Sequence, residues 1–192
     1  KQQTLGDVGY TIVQSNGDLD YPNCRLVRMN YEWVCRGVTH EYWDGHAAPL
    51  DKSICWINDK NDGGCKSDKF ERDARLLEAG LAEKPDDVRY MFYLAQTYHC
   101  LARNEDAIRM YEKRYAAGGW GEEQWYSLYM IGQTYLTLGK PIEFEQYMLK
   151  AYELRPGRAE SLYKLAKYFR EKGQHYNCLL YTSPSPRDRT RS

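Results

Sequence analysis

Several segments of this 192-residue chain bring together side chains that can do chemistry. His40 and Glu41 are adjacent, but such a pair is weak evidence alone: a histidine often hydrogen-bonds within a sheet, and a carboxylate often sits on the surface. Arg25 and Arg28 share the run Cys24–Met29, where guanidinium groups can meet oxyanions or merely keep a strand face solvated. The stretch Asp62-Gly63-Gly64-Cys65-Lys66 can cradle a phosphate through backbone N–H groups and the Lys66 ammonium, or simply turn the chain. Trp33 and Trp43 can stack on a planar or sugar-like ligand, or be buried. Cys24, Cys35, Cys55 and Cys65 are separated by 11, 20 and 10 residues, without the close pairs of ordinary zinc sites.

The elements that must position these residues are short strands. Tyr10–Gln14, Cys24–Met29, Glu32–Arg36 and Val38–Trp43 are β-branched or alternating runs bounded by turn formers such as Asn16-Gly17-Asp18 and Tyr21-Pro22-Asn23. About 65 residues of strand without covering helices make a poor independent core. Residues 1–65 are therefore expected to be the end of a larger α/β domain.

From Phe70 onward the pattern is helical and repetitive. Leu94-Ala95-Gln96-Thr97-Tyr98 matches Ile131-Gly132-Gln133-Thr134-Tyr135 at an offset of 37, and Leu165-Ala166-Lys167-Tyr168-Phe169 follows at 34. Each run sets a large apolar residue, a small one and an aromatic at the same spacing, so that two helices can approach closely at the small residue. Short turns follow at Ala102-Arg103-Asn104, Leu138-Gly139-Lys140 and Lys172-Gly173-Gln174, and Pro85 and Pro156 stand at unit ends. This period and pattern resemble the tetratricopeptide repeat, a helix-turn-helix unit of about 34 residues. The units are expected at about 84–121, 122–158 and 159–177, after a half-repeat helix over Phe70–Glu83. Phe144 stands where a small residue is usual, so packing there must differ.

The order Arg25, Arg28, Trp33, His40-Glu41, Asp62-Gly63-Gly64 and Lys69-Phe70-Glu71-Arg72-Asp73, followed by repeats, resembles the end of a family 2 glycosyltransferase catalytic domain of the GT-A type joined to tetratricopeptide repeats. The resemblance implies an α+β chain: the last strands of a nucleotide-sugar-binding domain, then an all-α helical-hairpin solenoid. It also implies a manganese or magnesium ion bridging the donor diphosphate, with His40 as a late metal ligand. Arg25, Arg28, Glu41 and Lys66 become candidates for substrate or diphosphate binding. The family's Asp-x-Asp motif and general base belong upstream, and Asp18 and Asp20 read as turn residues. No catalytic residue is therefore assigned in this chain, which is expected to be inactive as a transferase by itself. The partners implied are a nucleotide-sugar donor, an acceptor, and a protein partner or second copy on the repeats. The alternative is a non-enzymatic protein-interaction module.

Lys+Arg 27 balances Asp+Glu 27, which gives no basic field for nucleic acid, and a mean hydropathy of -0.79 with no long apolar run gives no membrane span. Cys178–Asp188 resembles a translated transposase adapter from sequencing-library preparation. Residues 178–192 are accordingly expected to be non-native, with the third unit cut at 177. Without them 24 basic residues face 26 acidic ones, and five irregularly spaced cysteines favour a reducing, cytoplasmic setting.

Overall fold

The computed structural model describes residues 5–17, 19–60 and 68–182. The chain forms two compact units, Lys1–Lys69 and Phe70–Ser192.

In the first unit, β1 (Gly9–Asn16) pairs antiparallel with β2 (Leu19–Val27), the chain leaving β1 through Gly17 at a φ of +57. Glycine adopts that left-handed conformation without steric cost. β1 then pairs in parallel with β5 (Ala48–Pro49) and β6 (Trp56–Asn58), while β3 (Val34–Arg36) and β4 (Tyr42–Asp44) form a separate antiparallel ribbon. Alternation along β1 buries Tyr10, Ile12 and Gln14 on one face, and Tyr10 and Ile12 cluster with Leu50.

Two local expectations change, and the β1–β2 ladder carries one irregularity. Tyr21-Pro22-Asn23 lies within β2 rather than in a turn, because β2 is the sheet edge and a proline there forfeits no required ladder bond. Only the end of Val38–Trp43 is strand, since Gly37 and His40 both take positive φ, +102 and +52, and bend the chain first. The pairing shifts between Tyr10 and Thr11, which face Leu26 and Cys24, so Arg25 is the extra residue of a bulge.

The second unit is a run of antiparallel helices: α1 (Lys69–Glu83), α2 (Val88–Cys100), α3 (Asn104–Ala116), α4 (Gly121–Thr137), α5 (Pro141–Leu154), α6 (Glu160–Glu171) and α7 (His175–Thr182). α2/α3, α4/α5 and α6/α7 are hairpins, and α3 packs on α4 as α5 packs on α6. Asp87 caps α2 by accepting from the backbone N–H groups of Arg89 and Tyr90, both at 3.0 Å. Ala102, Gly139 and Gly173 occupy the same place in the three hairpin turns, with φ of +55, +69 and +70.

The small residues do what their spacing requires. A methyl on Gly132 would fall 2.7 Å from Met148 Cε and 3.4 Å from the Phe144 carbonyl. Phe144 is accommodated because its ring points onward, edge-on to Tyr168, into a core with Met148, Leu165 and Phe169. Arg114 stands where Ala151 stands one unit later and is wholly buried. Its Nε donates to Glu123 Oε2 at 2.8 Å and its Nη1 to the Gly118 carbonyl at 2.6 Å, so the Gly-rich insertion between α3 and α4 closes around it.

Helical backbone runs past Asn177. α7 continues to Thr182, because Cys178 and Tyr181 fall on the helix face toward the Phe144 core, and Tyr181 Oη donates to Glu145 at 2.6 Å. Tyr181 repeats the register of Tyr147, whose hydroxyl donates to Glu112 at 2.7 Å.

Candidate interaction surface

Among the described residues, those singled out in the first unit are not seen gathered into one site. Arg25 is held in its bulge by donating Nε and Nη2 to Gln14 Oε1, at 2.9 and 2.7 Å. Arg28 lies just past β2 and donates to the carbonyls of Asp7 and Leu5, at 2.9 and 2.5 Å. Both guanidinium groups therefore fasten the sheet. His40 and Glu41 are exposed at the bend before β4. Among the described residues no group of three His, Cys, Asp or Glu side chains converges to hold a metal, so the residues present do not by themselves fit the divalent ion. Asp18, Cys65 and Lys66 lie outside the described residues. Trp33 is packed over Gly9 and Gly45, where added methyls would fall 2.6 and 2.4 Å from the indole, and Trp43 meets its edge at 6.4 Å while remaining exposed.

A more coherent surface forms on the first helices of the repeats. Arg89, Phe92 and Tyr93 of α2, Trp120 before α4, Glu122, Glu123, Trp125 and Tyr126 of α4, and Arg158 before α6 enclose a groove of about 280 Å³. Helical spacing places Phe92 against Tyr126, edge to face at 5.7 Å, and stacks Trp125 on Tyr129 at 5.3 Å. The Arg158 guanidinium lies 4.5 Å above Trp125, and Arg89 lies 4.9 Å over Tyr93. Trp125 is 4% exposed and belongs to the core, whereas Trp120 is 66% exposed and forms an open wall.

The groove's charges are mostly spent on each other. Glu122 binds Arg155 and Arg158 at 2.6 and 2.7 Å, and the Arg158 hydrogen bond holds its carboxyl below the ordinary range. Glu123 is committed to Arg114. Burial pushes the hydroxyls of Tyr126 and Tyr129 up, so both stay neutral donors. What faces outward is aromatic surface flanked by the Arg89 and Arg158 guanidinium groups.

By sequence Trp120 and Trp125, which flank a Gly-rich turn, can mark a partner surface, helix packing explaining Trp125 at least as well; the other residues are not singled out, although a signal is present. Phe92, Tyr129 and Tyr163 recur at the repeat offsets, each two residues before the large apolar residue of its unit.

Residues 126–158, comprising most of α4 and all of α5, match the tetratricopeptide repeat family. Among solved structures, a crystal structure of MamA is 20% identical with a TM-score of 0.51, covering 59% of this chain and 64% of that one. A structure of MamA MSR-1 is 22% identical with a TM-score of 0.50, covering 60% and 65%. The MamA RS-1 ArsTM double mutant is 16% identical with a TM-score of 0.51, covering 59% and 62%. At these identities the likeness shows the fold alone, and this chain spans less than two thirds of each. No curated protein matches. The chain thus carries tetratricopeptide repeat architecture in its helical unit. No described helix is long and apolar enough to cross a membrane.

Proposed function

We propose that this chain is a protein-interaction module whose first-helix surface binds a segment of another polypeptide. The observation carrying this reading is the aromatic groove across α2 and α4, whose rings are packed by helix–helix contacts and held in place before any ligand arrives. A preformed aromatic surface loses little side-chain entropy on binding, which is why aromatic residues dominate binding hot spots. We place the module in the cytoplasm on its irregular cysteine pattern.

The test is a peptide-display selection against the whole chain, repeated with Trp120→Ala. A family of peptides that binds the wild type and weakens on that substitution is the expected outcome. Enrichment indifferent to the groove, or none, would remove the reading.

A second reading keeps the first unit as the end of a family 2 glycosyltransferase domain, with a nucleotide-sugar donor and a divalent metal. It is favoured by the mixed sheet, in which β1 has an antiparallel neighbour on one side and parallel strands on the other, an arrangement common in α/β enzymes. On this reading His40, Glu41, Arg25, Arg28 and Lys66 would serve the donor only beside residues supplied by the rest of the domain. Donor hydrolysis by the product of the complete gene, with and without manganese, compares wild type with His40→Ala; equal rates would take His40 out of the site.

A further inference from the structure

We infer that Arg114, wholly buried and out of a ligand's reach, is the positioning residue of the groove: its guanidinium holds the insertion that carries Trp120. The inference rests on the interaction-module reading above. The offset between the first two units is 37 residues and between the next two 34, and the excess falls in Ala116–Gly121. Gly118 and Gly119 there hold φ of +73 and +87. A methyl built on either would meet nothing within 4 Å, so glycine serves the conformation and not the space. Two glycines in succession leave the chain many alternative paths, and a side chain from α3 selects one of them.

One guanidinium holds the chain on both sides of Trp120. Nη1 donates to the Gly118 carbonyl before it, at 2.6 Å, and Nε to Glu123 Oε2 after it, at 2.8 Å. The Gly118 N–H and the Gln124 side-chain amide both reach the Tyr115 carbonyl, at 3.2 and 3.3 Å. Glu122, beside Glu123, is drawn the other way by Arg155 and Arg158, at 2.6 and 2.7 Å. The start of α4 is thus fastened to α3 on one side and to the α5–α6 connection on the other. With its ring 66% exposed, Trp120 depends on that backbone for its place at the edge of the groove. A ligand that meets Trp120 in place is spared the entropy of ordering the insertion. If the insertion is released, the ligand must order it, and ordering even one backbone residue lowers affinity roughly 10-fold.

The experiment measures backbone order parameters by nitrogen-15 relaxation on the full chain, together with the affinity of the peptides returned by the display selection. In the wild type Gly118, Gly119 and Trp120 should be as rigid as the flanking helices, near about 0.85. Arg114→Met should bring them below about 0.6 and weaken the peptides roughly 10-fold, with helical circular dichroism retained. Leu77→Ala, a buried change in α1, serves as the control for lost stability. It should leave both the order parameters of the insertion and the peptide affinity as they are. An insertion already below about 0.6 in the wild type overturns the inference, whether or not Arg114→Met folds. So does an Arg114→Met chain that matches the wild type, or equal weakening by Leu77→Ala. If the insertion loosens while the peptides bind unchanged, the inference fails and the interaction-module reading stands. If no peptide binds the wild type, both fall.

Discussion

Glu123→Gln is expected to destabilise the helical unit more than replacing both members of its buried ion pair with apolar residues. Arg114 is wholly buried and Glu123 side-chain exposure is 14%. The two meet at 2.8 Å, and the remaining contact of the guanidinium is the Gly118 carbonyl at 2.6 Å. At an effective dielectric near 20, attraction at this separation is roughly 6 kcal/mol. Burying two ions costs several kcal/mol each, so the intact pair lies near break-even. Removing the carboxylate charge alone leaves a buried guanidinium facing only neutral oxygens, the Gly118 carbonyl and the new amide, at a cost of about 3–5 kcal/mol. Replacing both partners, Arg114→Met with Glu123→Leu, removes the buried cation and its anion together. That loss should stay below about 1.5 kcal/mol, since an apolar replacement of a whole buried pair at similar volume is often nearly neutral. Urea unfolding followed by helical circular dichroism measures both. The reasoning fails if Glu123→Gln lies within about 1 kcal/mol of wild type, or if the double replacement is the worse of the two.

Three further outcomes follow from local geometry. Ala102→Gly should raise stability by about 1 kcal/mol, since the exposed Ala102 holds a φ of +55 that its partners in the other turns meet with glycine; an unchanged urea midpoint would refute it. Gly132→Val should cost about 3 kcal/mol or more, because its branches would extend past a Cβ position already 2.7 Å from Met148 and 3.4 Å from a backbone oxygen; the same midpoint measures it. Burial and then the hydrogen bond to Glu78 push the Tyr98 hydroxyl up to about 12. Its folded value is raised, so its contribution is complete below pH 10 and is lost as pH climbs toward 12. Tyr98→Phe should flatten that part of the stability–pH curve, and identical slopes would contradict the assignment.

Much of the helical unit was legible because its information is local. The recurring large–small–aromatic triplets, the turn glycines and the prolines at unit ends mark the hairpins without reference to distant residues. The row Phe92, Tyr129 and Tyr163 was equally visible in the repeat register. The start of the β1–β2 hairpin was legible for the same reason, with Asn16-Gly17 between two runs of strand formers.

What the tertiary structure decided is non-local. β5 and β6 are two and three residues long and exist by pairing with β1 across some forty residues of chain, which no local propensity encodes. Pro22 is a strand residue only because its strand lies at an edge. Arg114 reads as an ordinary surface arginine on a helix until the Gly118 carbonyl and Glu123 close over it. The helix past Asn177 forms because Cys178 and Tyr181 meet a core built by earlier units. Arg25 and Arg28 looked free for a ligand, yet Gln14 and the carbonyls of Leu5 and Asp7 take them. Residue type and spacing specify what a side chain can bind, while competition among partners in the folded chain determines what it does bind.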